Sequence, residues 1–420
     1  MTMNSLIKRI RPLLIPFAVV VVFVSSLVLG MHNATLYNPR HGFDGADHLF
    51  YIKYVNKFWK LPPITILRET HQSPIYYFIG AVLMAVTGTW KTAQYINTFI
   101  LWLIIGMVGL GLWKVFKKRD QVLIGMFSLA ALPMLNIFPA MITNELLNTL
   151  WIISSAVVIL FVISSKHGKD LFISSLLFTI CFILGYWTKI SIILIIPGFL
   201  ASYIYLFIKK TQFRKKILLF LFLIVMTIGL SISPIVLRAR TSYSASDTTK
   251  ISLINWSADN KSNFYTRLDW IWNIDMYNTQ YYSFTGAAWN SFWTDGHNAI
   301  TPFIKFHKKS FVLWSLGFVL FPICVYGLFL FSKHYKKYAL VINVILATML
   351  LTYFYTFRSI SHYSAGRLTY EMGIIIPYAF GIASVAKSKK IKILLLFLFS
   401  IQFAVMVSFY WILPWWHVTK

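Results

Sequence analysis

Two aspartates and two histidines stand close together in HGFDGADHLFYIKYVNKFWKLPP, residues 41–63. Asp44 and Asp47 are two of only 12 acidic residues in the chain, and His48 follows at once. A carboxylate within hydrogen-bond reach of a hydroxyl can act as a general base, and an aspartate before a helix can instead cap its first amides. Capping is the interpretation we favour for Asp47, and packing or local hydrogen bonding, rather than metal binding, for His48. Because one cap does not need both acids, Asp44 is the candidate for chemistry, with capping or loop structure as its alternative.

The same region continues as LRETHQSPIYYF, residues 67–78, where Glu69 and His71 accompany Arg68. A carboxylate with an imidazole can bind a divalent cation, so Glu69 and His71 are the candidate metal ligands. The chain shows no repeated ligand spacing, however, which favours an ordinary hydrogen-bonded pair. The following Pro74 suits the first turn of a second short helix.

The elements that position these residues must lie in a membrane. The chain has 420 residues, of which 58% are hydrophobic and 12% charged, and its mean hydropathy is +0.68. A soluble domain of this length needs more surface charge, so we predict an all-α polytopic protein with one membrane domain, residues 1–420.

Cys181 and Cys324 fall inside apolar segments, which excludes a disulfide framework. The first apolar segment, Leu13–Met31, is long for a signal peptide and is predicted to be a retained helix.

The basic residues predict the orientation. The net charge of +27 does not indicate nucleic acid, because the Lys and Arg residues form short clusters between apolar segments. Such clusters mark the cytoplasmic side of a membrane protein. Placing all of them inside predicts about eleven transmembrane helices, an inside N-terminus and an outside C-terminus. The clusters lie at residues 8–11, 114–120, 165–170, 209–216, 332–337 and 387–392.

Two large loops then lie outside, residues 32–94 and 238–309. In the first, the chain from Asp47 has the pattern of an amphipathic helix that lies flat at the membrane surface, with Tyr51, Tyr54, Val55, Phe58 and Trp59 on one face and lysines on the other. The apolar segment 73–88 is too short to cross. Crossing would also invert every later basic cluster, so we predict a half-buried or re-entrant helix.

These residues resemble a known family. Three motifs resemble the first external loop of the GT-C glycosyltransferases that use lipid carriers, such as the protein O-mannosyltransferases and the lipid A aminoarabinose transferase. The motifs are Asp-x-x-x-His-x-x-Tyr, Leu-Pro and Glu-x-x-Gln-x-Pro-x-Tyr-Tyr. The matching positions here are Asp44, His48, Tyr51, Leu61-Pro62, Glu69, Gln72, Pro74 and Tyr76-Tyr77.

Later segments agree in order over most of the chain. Glu145, in Asn144-Glu145-Leu146, resembles a family acid at the outer end of a span, and Lys189 followed by Pro197 resembles a Lys-then-Pro pattern. Ser291-Phe292-Trp293 with Gly296 is similar to an aromatic signature of the large later loop, and Gly366-Arg367-Leu368 with Pro377 resembles an Arg that opens a late span. Two positions depart from the family: Gly45 stands where a second acid is common, and Ser73-Pro74 where a Pro-Pro pair is common.

The resemblance implies that a sugar is transferred from a polyprenyl-phosphate donor to a lipid, glycan or protein acceptor, with inversion. It implies Asp44 as the base and Arg367 with Lys189 as cations for the lipid phosphate. Arginine binds phosphate through paired hydrogen bonds, although a basic residue near a membrane also serves as a surface anchor. The further candidates for substrate binding are Glu69, Glu145, Asp47 and His71. A divalent metal is a candidate cofactor. Placing a charged carboxylate near the membrane boundary costs free energy, which makes Glu145 a functional candidate. The alternative for Glu145 is capping or an interhelical hydrogen bond.

Two other functions compete with this one. A glycan polymerase or ligase also keeps arginine and acids in its outer loops. A flippase or transporter of lipid-linked sugars would place charges and broken helices near the middle of the membrane, whereas here the acids gather near the ends of the apolar segments. The Trp-rich stretch around Trp289, Trp293 and His297 is predicted to cover the site. We expect a bacterial plasma membrane, with the active site facing outside.

Overall fold

The structure is a computed structural model. It describes residues 14–40, 42, 44–64, 66–243, 267–271, 283–294, 307–359 and 372–411. Over these ranges the chain is built from α-helices joined by short turns, which confirms the predicted all-α class.

Fifteen α-helices follow one another along these ranges. They are α1 (Leu14–Leu36), α2 (Gly45–Phe58), α3 (Ile75–Thr87), α4 (Thr92–Phe116), α5 (Arg119–Ala130), α6 (Pro133–Ile137), α7 (Glu145–Ile163), α8 (Gly168–Tyr186), α9 (Ile196–Lys209), α10 (Arg214–Tyr243), α11 (Phe284–Trp293), α12 (His307–His334), α13 (Lys336–Ser359), α14 (Ile375–Val385) and α15 (Lys389–Tyr410). Short 3-10 turns at Arg68–His71 and Ile190–Ile195 precede α3 and α9.

Nine helices of the described part are long and apolar enough to cross a membrane. A tenth crossing results if Arg119–Ala130 and Pro133–Ala140, which meet at an angle of 55°, are one broken span. The one remaining crossing of the eleven predicted corresponds to the apolar helix Met372–Val385. This helix is shorter than the roughly 20 residues that a span usually needs. The count of eleven and the orientation therefore stay predictions.

The loop predicted to be the first external one contains the two short helices that the sequence pattern predicts. α3 has 13 residues, about 20 Å at 1.5 Å per residue, which is short for a crossing. α2 begins at Gly45, so the prediction that Asp47 caps it is wrong: Asp44 holds the N-cap position and Asp47 lies in the first turn. The predicted apolar face of α2 is only partly buried, since Phe58 is 47% exposed and Trp59 56% exposed.

The helix connections bring the later basic clusters to one end of the bundle. α4, α7, α9, α12 and α14 each end in a basic cluster, and the next long helix starts from it. We call this the basic end, defined by residues 114–120, 165–170, 209–216, 332–337 and 387–392. The loop with α2 and α3 and the start of α7 lie at the opposite end, because α4 and α7 both run from that end to the basic end.

Close packing between α12 and α14 depends on two glycines. A Cβ atom at Gly327 would lie 1.9 Å from the carbonyl oxygen of Gly381, and one at Gly381 would lie 2.6 Å from that of Cys324. Small residues allow membrane helices to approach closely. The short α14 is thus held in the interior, where all its residues are buried.

Candidate active site

A buried histidine and two tyrosines form the centre of the site. His48 of α2 is 4% exposed, and its Nδ1 lies 2.8 Å from the hydroxyl of Tyr77 on α3. The ring of Tyr51 stacks on that of Tyr77 with the centroids 3.7 Å apart and the planes 10° apart. His48 therefore packs on Tyr77 and hydrogen-bonds to it, but the partner is not local: it lies 29 residues later, and the bond joins α2 to α3.

Glu69 lies beside this centre on the 3-10 turn Arg68–His71. Its Oε2 is 4.0 Å from Nε2 of His48, and the residue is 6% exposed. Burial, with smaller contributions from the positive charges of Lys189 and His71, lowers the pKa of His48 to about 3. The nearby carboxylate of Glu69 favours the charged imidazole, but burial outweighs it, so His48 is neutral at physiological pH.

We expect the protein to lose thermal stability as the pH falls from about 6.5 towards 3. The unfolded chain takes up a proton on His48 near pH 6.5, while the folded chain resists protonation until about pH 3, so acid favours unfolding. Above pH 6.5 both states hold a neutral ring and the effect is absent. The slope from this one group is about 1.4 kcal/mol per pH unit.

Melting temperatures of detergent-solubilised protein across this pH range measure the effect. His48→Gln keeps an acceptor for the Tyr77 hydroxyl, removes the titrating group and should flatten the slope. His334→Gln, at an exposed position of the basic end, is the control and should leave the slope unchanged. An equal slope in wild type and His48→Gln would contradict a neutral buried histidine.

Asp44 starts α2 one turn before His48. Its backbone adopts φ 54°, ψ 28°, the left-handed region, and its carbonyl oxygen accepts hydrogen bonds from the amides of Asp47 at 3.0 Å and His48 at 3.1 Å. Its exposed carboxylate makes no capping hydrogen bond with the helix. A non-glycine residue in this region costs of order 1 kcal/mol and such residues cluster at functional sites, so the cap alone does not account for an aspartate here.

Gly45 shows why this chain departs from the family pattern. A Cβ atom at Gly45 would lie 2.7 Å from the carbonyl oxygen of Pro39. An acidic side chain at this position therefore does not fit without moving the backbone. The only other carboxylate in the first turn is that of Asp47, which is half-buried.

A second pair, this one between charged side chains, lies at the same end of the bundle. The ammonium of Lys189 donates a hydrogen bond to Oε1 of Glu145, and the side chains are 15% and 10% exposed, respectively. The interhelical bond considered for Glu145 is therefore present, and its partner is the other predicted site residue. Because Lys189 also acts on the pKa of His48, the two pairs form one cluster.

Lys189 lies in the break between α8 and the 3-10 turn Ile190–Ile195, and hydrogen bonds from neighbouring helices hold this segment in place. Asn144 donates to the carbonyl of Thr188 at 3.4 Å, and Asn148 donates to the hydroxyl of Ser191 at 2.9 Å. The amide of Ile75, the first residue of α3, donates to the carbonyl of Trp187 at 3.0 Å. The starts of α3 and α7 thus fix the backbone on both sides of the lysine.

The sequence interpretation missed Arg238, which it placed at the edge of an external loop. Its guanidinium donates to the Tyr51 hydroxyl at 3.2 Å and to the carbonyls of Pro62 and Thr70 at 2.8 and 3.1 Å. It therefore ties α10 to α2 and to the loop that carries Glu69. An arginine at the outer end of an apolar segment, where the inside rule does not explain it, was a signal for this role.

We expect Arg238→Met to lower the melting temperature by several degrees and to raise the KM for any substrate held by Glu69. Hydrogen bonds from a charged donor contribute about 1.5–3 kcal/mol, and their loss frees the loop of residues 61–72. Arg238→Lys should recover only part of the effect, because an ammonium does not reproduce the planar fork. Arg214→Met, exposed on the same helix, is the control; equal melting temperatures for both Met variants would refute the tie.

Glu69 and His71 do not form a complete metal site by themselves. Glu69 is buried, whereas His71 is exposed. Within the residues that the structure describes, no group of three or more His, Cys, Asp or Glu side chains is arranged to hold a metal ion. Divalent metals in proteins usually have more ligands than one such pair, so we derive no step through a metal.

The remaining predicted residues lie elsewhere. Trp289 of α11 packs on Phe318 with centroids 4.4 Å apart, and Trp293 contacts Tyr378 at 5.9 Å. These partners belong to α12 and α14, so the two tryptophans pack within the bundle and their predicted covering role stays untested. Arg367 and His297 lie outside the described residues.

An apolar cavity of about 270 Å³ lies next to the cluster, between α3, α4 and α7. Tyr76 lines it and also ties it to the start of α7, because its hydroxyl accepts from the amide of Thr143 at 3.0 Å. Phe99 and Leu103, also in its wall, are 52% and 56% exposed on the lipid-facing surface. The cavity thus lies between the exposed surface of α4 and Tyr76, whose ring centroid is 6.4 Å from that of His48. Other lining residues include Ile79, Gly80, Ile96, Leu147 and Leu150.

The arrangement combines three chemical capacities at one end of the bundle. An exposed carboxylate at Asp44 can take a proton, the ammonium of Lys189 can meet an anion, and the apolar cavity can hold a hydrocarbon chain. Sugar transfer from a lipid phosphate needs a base, a cation for the leaving phosphate and a place for the lipid.

The solved structures with a similar fold are distant in sequence. The apo structure of ArnT from Cupriavidus metallidurans matches with a TM-score of 0.54 and 14% identity over 87% of this chain and 59% of that chain. The same protein bound to undecaprenyl phosphate matches with a TM-score of 0.52 and 16% identity over the same shares. The Archaeoglobus fulgidus oligosaccharyltransferase in complex with Zn and sulfate gives 0.53 and 13% over 93% and 52%. No protein-family model and no curated protein sequence matches the chain.

These matches confirm the resemblance at the level of fold: the chain has the helical fold of the GT-C membrane glycosyltransferases. It covers 52% to 59% of the length of these structures. Together with its apolar helices, the fold makes the chain an integral, multi-pass membrane protein.

Proposed function

We propose that this protein transfers a sugar from a polyprenyl-phosphate donor to an acceptor hydroxyl or amine at the membrane surface. The observation that carries the proposal is that four residues singled out in the sequence meet as two pairs, His48–Glu69 and Glu145–Lys189, in one cluster beside Asp44. The fold likeness supports it, because one of the structures is of ArnT bound to undecaprenyl phosphate.

In the proposed reaction the acceptor attacks the anomeric carbon of the donor. Its O–H or N–H bond breaks and the proton passes to the carboxylate of Asp44. The bond between the anomeric carbon and the phosphate oxygen breaks with inversion, and polyprenyl phosphate leaves with the electron pair. Asp44 suits this role because its carboxylate is exposed at a helix start and is not used as a cap.

Charge development on the leaving phosphate requires nearby cations. Lys189 is the candidate in the described cluster, and its pairing with Glu145 keeps the ammonium oriented. Arg367 is the second candidate, from the sequence resemblance. Glu69 and neutral His48 would shape the sugar site through hydrogen bonds, with Asp47 and His71 at its rim.

The apolar cavity beside Tyr76 is proposed to hold the part of the isoprenoid chain nearest the phosphate. We expect Ile96→Trp, which fills the cavity of about 270 Å³, to raise the KM for the lipid donor about tenfold while changing kcat little, because it removes binding shared by ground and transition states. Ile173→Trp, on the exposed surface of α8, is the control. Equal KM values for the two variants would contradict this location.

Reconstituted protein incubated with radiolabelled polyprenyl-phosphate sugars and a membrane extract tests the function. Transfer of label to an extractable acceptor supports it. Movement of intact labelled lipid between leaflets without consumption of the donor would favour a transporter. Joining of preassembled lipid-linked glycans, with no use of single-sugar donors, would favour a polymerase or ligase.

The membrane side and the type of membrane also belong to the proposal. The basic end would face the cytoplasm under the positive-inside rule, so that Asp44 and its neighbours face outside. A bacterial plasma membrane fits the lysine-rich clusters. Modification of an introduced cysteine near Lys53 by an impermeant thiol reagent in intact cells tests the side.

A further inference from the structure

A second cavity lies at the basic end of the bundle, far from the candidate active site. It has a volume of about 370 Å³ and forms where α14 ends and where α5 and α15 begin. The 25 residues of α4, about 37 Å of helix, separate this end from the cluster around His48. Its lining residues are Lys118, Arg119, Asp120, Gln121, Ala386, Lys387 and Lys392.

The cavity is strongly basic. Four of its lining side chains are cationic and one is anionic, a formal excess of three positive charges. The carboxylate of Asp120 contacts Lys392 at 2.7 Å and lies 3.9 Å from Nε of Arg119. Because one carboxylate neutralises about one cation, it orders the lysine and arginine without cancelling the excess. An anion with more than one negative oxygen matches this arrangement.

The backbone around the cavity is fixed by buried and capping hydrogen bonds. Gln121 is 3% exposed, and its amide donates to the carbonyl of Ala383 at 2.8 Å, which joins α5 to α14. Ser388 caps α15 by accepting from the amide of Ile391 at 3.3 Å. The cations are therefore mounted on helix ends whose relative positions are set, rather than on a long loop.

An exposed apolar face of α15 starts within one turn of the basic cavity. On α15, Ile393 is 56% exposed, Leu394 50% and Phe397 61%. These residues follow Lys392, which lines the cavity, and at about 100° per residue they lie on a neighbouring face of the helix rather than on that of the lysine. A soluble phosphate would use the cations alone, whereas a phospholipid would use the cations for its headgroup and the apolar surface for its acyl chains.

We propose that this cavity binds the phosphate group of an anionic phospholipid, with the acyl chains along Ile393 and Phe397. Such a lipid would join the ends of α14 and α15 to the start of α5 at the membrane surface. Basic pockets between membrane helices are suited to such headgroups. The proposal does not depend on glycosyl transfer, because the site is at the other end of the bundle.

Native mass spectrometry of the full-length protein, titrated with phosphatidylglycerol or phosphatidylcholine in detergent, tests the proposal. We expect phosphatidylglycerol to be retained in preference, and Lys118→Gln with Lys387→Gln to reduce its retention about tenfold or more. The control, Lys333→Gln with Lys336→Gln, removes the same charge from exposed positions of the basic end outside the cavity. It should retain the lipid.

Equal losses in the two double variants would overturn the proposal, since they would indicate general attraction to a basic surface. Saturable binding of inorganic phosphate that is lost only in the cavity variant, with lipid retention unchanged, would also overturn it and assign the cavity to a soluble anion. A photoreactive phosphatidylglycerol provides a test without substitutions. Cross-links at Phe397 and Lys118 support the site, and cross-links confined to other helices refute it.

Discussion

Asp44→Asn is expected to reduce sugar transfer by about 10²–10⁴-fold, the usual contribution of a general base. The amide has nearly the shape of the carboxylate but does not accept the acceptor proton. Because the Asp44 side chain makes no capping hydrogen bond, and asparagine also tolerates the left-handed backbone, the variant should fold normally. The measurement is kcat for transfer, with the melting temperature and donor binding recorded alongside.

Two further variants make this result specific. Asp170→Asn alters an exposed aspartate at the basic end, where the new side chain can still accept from the amide of His167, and should transfer at the wild-type rate. Asp47→Asn tests the neighbouring acid of α2. If Asp47→Asn loses transfer and Asp44→Asn keeps it, the base is Asp47 and Asp44 is only the helix start.

Removing the contact between Lys189 and Glu145 by substitution is expected to have the second large effect, on both stability and sugar transfer. Lys189→Met leaves the buried carboxylate of Glu145 without the ammonium it contacts, a change that typically costs about 3–5 kcal/mol of stability. We also expect loss of transfer, because the leaving phosphate loses a cation. The melting temperature and the rate of transfer should therefore both fall.

The double variant Glu145→Gln with Lys189→Met distinguishes structure from chemistry. Replacing both members of a buried pair by neutral groups is often nearly neutral for stability, so its melting temperature should return towards the wild-type value. Transfer should stay low, since no cation has been restored. Recovery of both stability and transfer would show that the pair is only a packing element.

The hydropathy of the chain predicts the helices well, because membrane helices need long apolar runs whatever they pack against. Details that depend on three-dimensional packing were less accessible. The sequence pattern predicts that α2 starts at Asp47, whereas the helix begins at Gly45, and the close approach of Gly45 to the Pro39 carbonyl that requires glycine there is visible only in the fold. The close packing of α14 on α12, which requires Gly327 and Gly381, is likewise visible only in the fold.

The sequence identifies individual residues of the site but not which of them contact each other. Residue types and the family pattern singled out Glu69, Glu145 and Lys189 individually. No local rule joins Glu145 to Lys189, 44 residues later, or His48 to Tyr77, 29 residues later. Arg238 was missed because its hydrogen bonds go mostly to backbone carbonyls, which leave no mark in a sequence.

The most direct test of the central claim is the stoichiometry of products in a single incubation of reconstituted protein with a doubly labelled polyprenyl-phosphate sugar. We predict that one polyprenyl phosphate is released for each sugar that reaches the acceptor, and that Asp44→Asn releases neither at a comparable rate. Recovery of the donor intact, with the sugar still attached to the lipid while the wild-type protein is folded and binds it, would contradict glycosyl transfer.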